Sequence, residues 1–426
     1  MTRNTPPKEF LKALFDTAVA AALPDTCLAA HLPSKPAGRT FVVGAGKAAA
    51  SMAVDIERHW DGPLQGIVVT RYGHGARCKR IEVIEAAHPV PDQAAHRAAQ
   101  RIVDLVSSLG ADDLLIVLIS GGGSSLLSLP AAGILLDEKR TITKALLRSG
   151  ATIAEINCVR KHLSAIKGGW LAARAYPAHI VTLAISDVPG DDISTIASGP
   201  TVPDQTTLAD ARQVLARYQI DVSEAVHARL IDQNNETPKA GNAIFSKASS
   251  HIIASGKSAL TAAEQAVRAA GYNCLVLGDN IEGEAREIAK MHAAIAGFIV
   301  SDGKPVAAPA VILSGGETSV TVTGDGRGGR NSEFALSLAI ALHGADNIHA
   351  LACDTDGIDG SEDNAGAYVG PDTLAKLARA KLSPRALLEN NDSYAAFQAI
   401  DDLIVTGPTR TNVNDFRAIL IDAGSD

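Results

Sequence analysis

Short apolar runs alternate with longer amphipathic segments along most of the chain. Between the runs lie segments whose apolar residues recur at helical spacing, such as 47–58 and 92–109, and the second begins with Asp92 as its N-cap. Five runs in the first half have the length and β-branched content of buried strands: 40–46, 66–70, 81–86, 114–120 and 179–186. This alternation predicts an α/β fold around a mainly parallel sheet.

The second half resumes the alternation after a polar stretch. Residues 231–250 contain Pro, Gly and many polar side chains, so we predict a linker there and two α/β domains joined near residue 240. The run 319–324 alternates with period two directly behind a strand, which predicts an antiparallel element. Further strands are predicted over 251–255, 273–278, 310–314, 349–357, 403–409 and 416–421, and helices over 258–270 and from about 283.

Composition and charge narrow the classes of function. A chain of 426 residues exceeds what one hydrophobic core usually organises. The net charge is −8 and no basic stripe is present, so we expect no nucleic-acid partner. The five cysteines are scattered, and no apolar run has the length of a membrane span. With Lys12 and Asp16 inside its apolar stretch, the N-terminus predicts an amphipathic helix, and we expect a soluble cytoplasmic protein.

Two of the predicted strands lead directly into a Ser-Gly-Gly sequence. Glycines allow backbone amides to approach phosphate oxygens, and serine hydroxyls add further donors. We predict that each glycine-rich corner binds an anion, and one corner in each half suits a site between two domains. The candidate contacts are Ser120, Gly121, Gly122, Gly123 and Ser124 at the first corner, and Ser314, Gly315, Gly316 and Glu317 at the second.

The segment 41–53 is a strand, a glycine turn and the start of a helix. Gly44 and Gly46 fit the spacing of a dinucleotide-binding turn, G-x-G-x-x-A. That interpretation needs an acidic residue after the next strand, where Arg71 stands instead. Alternatively, Lys47 at the helix start clamps a phosphate or carboxylate. An ordinary tight turn with an exposed lysine is the third interpretation.

A basic cluster interrupts this otherwise acidic protein at residues 157–170. On a helix, Arg160 and Lys167 would share a face with Ser164 between them. Such a face suits a small anionic substrate or a phosphate, and a solvated surface is the alternative interpretation.

The densest stretch, 314–336, surrounds Arg327 and Arg330 with glycines, and Asn331 stands at the start of a predicted helix. An arginine beside a helix N-terminus is well suited to a transferring phosphoryl group. A glycine-rich hairpin without a ligand is the alternative, but it would not require two arginines.

Two carboxylates follow the predicted strand 179–186. Asp187 and Asp191 stand at the rim where α/β sheets bind ligands, and Mg²⁺ takes one or two carboxylates together with phosphate oxygens. We predict a magnesium site at these two residues, with a solvent-facing turn at Pro189 as the alternative.

Taken together, these motifs resemble one family, the glycerate 2-kinases that carry a MOFRL domain at the C-terminus. Some members of that family are labelled hydroxypyruvate reductase. The matching segments span residues 41 to 415, and Trp170 departs from the basic residue expected after KGG. In the family's order the segments are GAGKAA, HPVPD, SGGGSSLL, NCVRKHLSAIKGG, SDVPGD with IASGPTVPD, SGGETSVTVTGDGRGGRN, DTDGIDGSEDNAGA and TGPTRTNVND.

The resemblance implies both a fold and a reaction. Residues 1–240 would form a Rossmann-like three-layer α/β/α domain, and 241–426 a smaller mixed-sheet MOFRL domain, with the active site in the cleft between them. The implied enzyme uses ATP and Mg²⁺ to phosphorylate the 2-hydroxyl of D-glycerate, giving 2-phosphoglycerate. By position, Lys47 and Arg330 are the implied catalytic pair, and Arg327 is a further candidate. A homodimer is a possible assembly.

Two other classes of function stay open at this point. An NAD(P)H-dependent hydroxypyruvate reductase would bind its dinucleotide at the 41–53 turn and use His88 or His162 as the acid, although Arg71 counts against it. A non-enzymatic sensor of small anions would retain the glycine corners without needing Lys47 and Arg330 together.

Overall fold

The fold is described from a computed structural model for residues 2–423. By internal contacts the chain divides into two compact units, Pro24–Ile253 and a second unit that joins the residues before Pro24 to those from Ala254 onward. The first helix, α1 (Pro7–Ala21), therefore belongs to the second unit. Within residues 2–423, no helix is both long and apolar enough to span a membrane. The domain boundary at residue 240 stays a prediction.

The polar stretch 231–250 is not a free linker, because it packs on the first unit. The carboxylate of Glu236 lies 3.1 Å from Nε2 of His162, and Thr237 Oγ1 donates to Asp204 at 3.1 Å. The polar side chains of this stretch form hydrogen bonds to buried residues of the first unit, so their presence does not indicate a flexible linker.

The first unit is built on one six-stranded sheet. The order across the sheet is β3-β2-β1-β4-β5-β6, and the first five strands pair in parallel. The strands are β1 (Thr40–Ala45), β2 (Gln65–Arg71), β3 (Ile81–Ala86), β4 (Leu114–Ile119), β5 (His179–Ile185) and β6 (Ala248–Ala254). The helices are α2 (Pro24–Cys27), α3 (Ala49–His59), α4 (Gln93–Val106), α5 (Gly123–Leu126), α6 (Leu136–Arg148), α7 (Ile153–His162), α8 (Trp170–Ala175), α9 (Leu208–Arg217) and α10 (Glu224–Ile231).

Both faces of this sheet are covered. Phe41 and Val43 of β1 share an apolar core with α4 and α8. The residue between them, Val42, is buried as well, and α3 contacts β1, β2 and β4. Because successive strand residues point to opposite faces, the sheet carries helices on both sides. The predicted three-layer α/β/α arrangement is confirmed, and Asp92 caps α4 as expected, accepting from Ala95 N at 2.9 Å.

The strand order reverses between β1 and β4. From β1 the chain passes to β2 and β3 on one side of the sheet, and only then to β4 and β5 on the other. Since β1 and β4 run in parallel, their carboxyl ends open at the same edge, and α/β sheets bind ligands where the order reverses. The loops that follow Ala45 and Ile119 therefore mark the candidate site.

A helical lobe packs beside this edge. Helices α6, α7, α9 and α10 bury a separate apolar core that includes Ile142, Leu146, Val159 and Leu230. Helices α6, α9 and α10 were not among the predicted elements, whereas α7 covers the first part of the basic cluster that was considered as a helix.

The second unit is built on a mixed six-stranded sheet in the order β11-β10-β9-β12-β8-β7. Among the described strands of this sheet, β7 and β8 form the only parallel pair. The other neighbours pair antiparallel, namely β8 with β12, β12 with β9, β9 with β10 and β10 with β11, which confirms the mixed sheet. The strands are β7 (Asn273–Glu284), β8 (Ala310–Ser319), β9 (Ile348–Asp354), β10 (Gly366–Val369), β11 (Leu403–Ile404) and β12 (Asp415–Ile421). Besides α1, the helices are α11 (Gly256–Ala269), α12 (Ala285–Asp302), α13 (Arg330–Leu342), α14 (Thr373–Arg379), α15 (Pro384–Glu389) and α16 (Ser393–Gln398).

Neighbouring residues of β12 show how this sheet is covered. The ring of Phe416 lies 6.0 Å from that of Phe15 in α1, whereas the guanidinium of Arg417 lies 5.1 Å from the ring of Phe334 in α13. Consecutive side chains point to opposite faces, so α1 and α13 cover opposite sides of the sheet. The amphipathic N-terminal helix is therefore confirmed, and its apolar face fills this core.

The antiparallel strand predicted over 319–324 is wrong. Strand β8 continues without a break to Ser319, and the following residues form a loop. The backbone amides of this loop donate hydrogen bonds to a side chain and not to a neighbouring strand. Thr323 N and Gly324 N donate to Asn391 Oδ1 at 2.8 and 3.0 Å. An extended segment with period-two alternation does not need a partner strand when side chains satisfy its amides.

Candidate functional site

The loops that follow β1 and β4 are hydrogen-bonded to each other. Lys47 N donates to Gly121 O at 2.8 Å, and Ala48 N donates to Ser120 Oγ at 3.0 Å. Gly46 has φ of +143°, and a β-carbon there would lie 2.1 Å from Ser120 Oγ. Gly44 is equally tight, since its β-carbon would lie 2.2 Å from the Leu118 carbonyl oxygen. These glycines allow two loops to pack closely, and the packing fixes Lys47 beside the glycine-rich loop.

The glycine-rich loop leads into a helix of only one turn. α5 has four residues, so its dipole contributes little to anion binding. Gly122 has φ of +79°, and a β-carbon at that position would lie 2.7 Å from Nε2 of His88. The loop can approach a ligand closely, but positive charge has to come from side chains.

The basic cluster at 157–170 separates into two roles. Lys161 is buried and its ammonium pairs with Asp204 at 3.2 Å. His162 is also buried, and its ring bonds to the Cys158 carbonyl oxygen at 2.8 Å and to Glu236 at 3.1 Å. Both residues hold the helical lobe together and are not directed at a ligand.

Arg160 and Lys167 line a cavity beside the glycine-rich loop. Because α7 ends at His162, they do not share a helix face as predicted, yet the following turn brings both to the same cavity. Lys167 is almost fully buried, and its ammonium donates to Ser124 O at 2.7 Å and Ser124 Oγ at 3.3 Å. Burial, together with the positive charges of Lys139 and Arg160, lowers the pKa of Lys167 well below its ordinary value.

This cavity has a volume of about 600 Å³ and a strongly one-sided charge. No Asp or Glu is found among its lining residues in the described chain. Five cations line it: Lys139, Arg140, Lys144, Arg160 and Lys167. Such a lining favours an anionic ligand.

Lys139 is a residue of this cavity that the sequence analysis missed. It is buried, and within residues 2–423 its ammonium has no hydrogen-bond partner. Burial and the charges of Arg160 and Arg229 lower its pKa to about 7. A sequence signal existed, because Lys139 interrupts the apolar stripe of α6 formed by Leu136 and Ile142.

A strained segment holds Ser124 from the other side. Ala197 and Ser198 have φ of +51° and +61°, a left-handed conformation that costs non-glycine residues about 1–3 kcal/mol each. The Ser198 hydroxyl lies 2.8 Å from Ser124 Oγ and donates to Asn157 Oδ1 at 3.2 Å. Strain of this kind is typical of functional sites. Ser198 and Asn157 lie inside two of the segments that match the family, IASGPTVPD and NCVRKHLSAIKGG, but neither was named as a candidate site residue.

Asp187 and Asp191 follow β5 on the same edge of the sheet as Lys47. Both are partly buried, and Asp191 has φ of +56° within the turn Pro189–Asp191. In the described part of the chain, no group of three or more His, Cys, Asp or Glu could hold a metal ion. Two carboxylates fit Mg²⁺ only when phosphate oxygens and water complete its six ligands.

In the second unit, Arg330 is held by three carboxylates. Its guanidinium donates to Asp415 Oδ1 at 2.7 Å, to Asp354 Oδ2 at 2.8 Å and to Glu317 Oε1 at 2.8 Å. Burial alone would lower the pKa of Arg330. The negative charges of the three carboxylates, of which Asp415 contributes most, outweigh burial and raise this pKa well above its ordinary value. The side chain of Glu317 is 50% exposed, unlike the other two, so Arg330 has two fixed partners and one exchangeable partner.

The N-terminus of α13 is already occupied by a carboxylate of the protein. Asp359 accepts from Asn331 N at 2.9 Å and from Ser332 N at 2.8 Å. Burial raises the pKa of Asp359, opposed by these hydrogen bonds. Asn331 is fully buried, and its amide donates to Asp415 Oδ1 at 2.8 Å. Asn331 therefore orients a partner of Arg330, and the helix end is not free for a phosphate.

The second Ser-Gly-Gly sequence, which was predicted to form a corner after a strand, continues the strand instead. Ser314, Gly315 and Gly316 lie inside β8, paired with β7 on one side and β12 on the other. A β-carbon on Gly316 would lie 2.3 Å from Ile281 N, so this glycine permits strand packing. Ser314 Oγ is 2.8 Å from Nε2 of His292, a buried histidine whose pKa burial lowers to about 4. Ligand binding by these three residues stays a prediction.

Arg327 does not join the carboxylates around Arg330. Its exposed side chain pairs with Glu362, and its guanidinium lies 4.6 Å from the centre of the Tyr394 ring. These contacts hold the loop that precedes α13 to the surface of the second unit.

Comparisons with known proteins show which proteins this chain is similar to. The model of the MOFRL family matches residues 310–415, and a domain of unknown function, DUF4147, matches residues 10–231. A protein of Agrobacterium vitis that carries the provisional name of hydroxypyruvate reductase is 57% identical over 97% of this chain and 94% of its own length. The D-glycerate 2-kinase of Thermotoga maritima is 41% identical over 93% of this chain and 94% of its own. The crystal structure of glycerate kinase from Thermotoga maritima matches with a TM-score of 0.90 at 40% identity, covering 97% of this chain and 99% of that one.

Proposed function

The chain belongs to the glycerate kinase family that combines a DUF4147 domain with a MOFRL domain, and we propose that it is a D-glycerate 2-kinase. In the proposed reaction the 2-hydroxyl oxygen of D-glycerate bonds to the γ-phosphorus of ATP. The bond from that phosphorus to the bridging oxygen breaks, ADP leaves, and the hydroxyl proton is released. The products are 2-phosphoglycerate and ADP.

One observation carries this proposal beyond family membership. Lys47 stands at the reversal of strand order, hydrogen-bonded through its backbone to a glycine-rich loop whose cavity is lined by cations. Phosphoryl transfer passes through a loose transition state with charge on peripheral oxygens, so cations and positioning supply most of the catalysis. This arrangement supports phosphoryl transfer better than hydride transfer.

We propose Lys47 and Arg330 as the two catalytic cations. Asp354 and Asp415 fix the guanidinium of Arg330, and the exposed Glu317 is the partner that a phosphoryl oxygen can replace. A guanidinium held in this way is organised before the reaction, so little reorganisation is needed as charge develops. The roles of the remaining binding candidates, the homodimer and the cytoplasmic location stay predictions.

We propose Asp187 and Asp191 as the residues that hold Mg²⁺ together with phosphate oxygens. When bound, the ion neutralises charge on the nucleotide phosphates. The position of both carboxylates after β5, beside β4 in the parallel sheet, supports this assignment.

One relative carries the name hydroxypyruvate reductase, so kinase and reductase activity are tested side by side. Purified protein is assayed with D-glycerate and MgATP, and separately with hydroxypyruvate and NADH or NADPH. Product formation is followed with enolase, which consumes 2-phosphoglycerate but not 3-phosphoglycerate. We expect 2-phosphoglycerate to form only when ATP is present. Oxidation of NADH or NADPH by hydroxypyruvate, without formation of 2-phosphoglycerate from D-glycerate, would overturn the proposal.

Lys47→Met provides the control for that assay. We expect kcat to fall by about 100-fold or more while the protein stays folded. The matched variant is Lys35→Met, which removes an exposed lysine paired with Asp61 and should retain wild-type activity.

A further inference from the structure

We propose that the cation-lined cavity of the first unit holds the triphosphate of the nucleotide substrate, with Lys139 as a phosphate-binding residue. This inference rests on the proposed kinase function and deepens it. It assigns the nucleotide, and not the hydroxy acid, to the space between α6 and the glycine-rich loop.

The charge of the cavity favours a polyanion. Among the described residues, five cations and no carboxylate line it, in a protein whose net charge is −8. Within residues 2–423, Arg140 is the only one of these cations with an acidic partner, the exposed Asp137 at 2.6 Å. A triphosphate carries several negative charges and can satisfy such a lining, whereas glycerate brings a single carboxylate.

Lys139 is the residue that most requires a ligand. A buried ammonium without a hydrogen-bond partner is costly, because burial removes its hydration and nothing replaces it. Arg160 and Arg229 add repulsion. A phosphate oxygen would supply both a counter-charge and a charge-assisted hydrogen bond. The buried ammonium of Lys139 therefore destabilises the empty site, and binding of an anion there is favourable.

The size and walls of the cavity fit a nucleotide better than a three-carbon acid. A volume of about 600 Å³ lies in the range of sites that enclose drug-sized ligands. Apolar side chains, among them Val90, Leu136 and Leu147, line the cavity together with the cations. Val90 and Leu147 are exposed, as expected of a surface that an aromatic base would cover.

The cavity is also connected to the proposed catalytic lysine. Lys167 binds the carbonyl oxygen of Ser124, and three residues earlier the carbonyl oxygen of Gly121 accepts from Lys47 N. Phosphates resting on Lys139 and Lys167 would thus lie on the same loop that holds the Lys47 turn.

Lys139→Met tests the assignment by binding alone. The affinities for MgATP, inorganic tripolyphosphate and adenosine are measured by equilibrium dialysis, and the KM for D-glycerate by the coupled assay. We expect Kd for MgATP and tripolyphosphate to rise by roughly tenfold to a hundredfold, with adenosine binding and the KM for D-glycerate unchanged. Lys139→Arg should recover part of the loss. Lys290→Met, an exposed lysine paired with Glu287, is the matched control.

Each other outcome has a definite meaning. Wild-type affinity for MgATP in Lys139→Met, or a rise in the KM for D-glycerate instead, would overturn the nucleotide assignment while the kinase function stands. A wild-type protein that neither binds MgATP nor phosphorylates D-glycerate would overturn the proposed function itself. A fall in melting temperature without a change in phosphate affinity would make Lys139 a structural residue only.

Discussion

The ammonium of Lys167 donates a hydrogen bond to the carbonyl oxygen of Ser124 at 2.7 Å, so a buried lysine fixes the glycine-rich loop. The same ammonium lies 3.4 Å from the carbonyl oxygen of Ala197, in the strained segment that holds Ser124 from the other side. One cation thus links the loop, the strained segment and the cavity. Its carbonyl partners are neutral, whereas Lys161 pairs with the carboxylate of Asp204.

Lys167→Met should therefore reduce activity more than stability. Loss of the cation and of the loop anchor is expected to lower kcat/KM by about 100-fold. The free energy of unfolding should change by no more than about 2 kcal/mol, because removing a buried charge offsets the lost hydrogen bonds. Steady-state kinetics and urea unfolding measure the two effects.

Lys161→Met should show the opposite pattern. Its ammonium pairs with the buried Asp204, so the variant leaves an uncompensated carboxylate and should lose about 3–5 kcal/mol of stability. The folded fraction should keep its activity. A large loss of kcat in a stable Lys161→Met protein would show that the division of the basic cluster is wrong.

The depressed pKa of Lys139 predicts a pH dependence of stability. Between the folded value of about 7 and the ordinary value of 10.5, the unfolded chain binds a proton that the folded chain does not. Stability should therefore rise with pH across this window, by up to about 1.4 kcal/mol per unit, and be independent of this group below it. Burial is the main cause of the lowered pKa of Lys139, and the positive charges of Arg160 and Arg229 add to it. Lys167 is a further charged neighbour, whose own pKa is lowered by burial and by Lys139.

Urea unfolding of wild type and Lys139→Met at several pH values isolates this contribution. The difference in unfolding free energy between the two proteins should move in favour of wild type as pH rises above 7. A constant difference across the window would mean that Lys139 stays charged in the folded protein.

Arg330→Lys should lower kcat by about 100-fold or more with little change in KM for MgATP. Lysine cannot bond to Asp354, Asp415 and a phosphoryl oxygen at once, because it lacks the planar fork of arginine. The matched control is Arg101→Lys, an exposed residue paired with Glu82, which should behave as wild type. An equal loss of kcat in Arg330→Lys and Arg101→Lys would show that Arg330 has no special role in catalysis.

Gly46→Ala should destabilise the fold by about 2–4 kcal/mol. Its backbone has φ of +143° and a β-carbon would lie 2.1 Å from Ser120 Oγ. The same substitution at Gly297, in α12 with open space around it, should stabilise the protein by about 0.5–1 kcal/mol. Urea unfolding of both variants checks the pair, and a neutral Gly46→Ala would contradict the close packing of the two loops.

The sequence predicted the elements well where local pattern decides them. The strand 81–86 has the bounds of β3, and Asp92 caps α4, because both follow from side chains within a few residues. The reversal of strand order beside Lys47 could not be predicted, since pairing partners are chosen by distant parts of the chain.

Two features of the structure that the sequence did not show have one physical cause. Ser314 to Gly316 suggested a corner because glycine often marks an interruption of a strand. In the structure these residues continue β8, and β7 approaches Gly316 so closely that only glycine fits at that position. Lys161 and Lys167 look alike in sequence, and only tertiary partners separate a paired lysine from one that faces the cavity. Local composition carries no information about such partners.

The most direct test of the account is a double-mutant cycle on phosphoryl transfer in a single turnover. Wild type, Lys47→Met, Arg330→Lys and the double variant are mixed with γ-labelled MgATP and D-glycerate, and labelled 2-phosphoglycerate is counted. We predict transfer by wild type, a loss of about 100-fold or more in each single variant, and a double variant no slower than the slower single. Losses that multiply in the double variant, or a wild type that transfers no label to D-glycerate, would contradict the account.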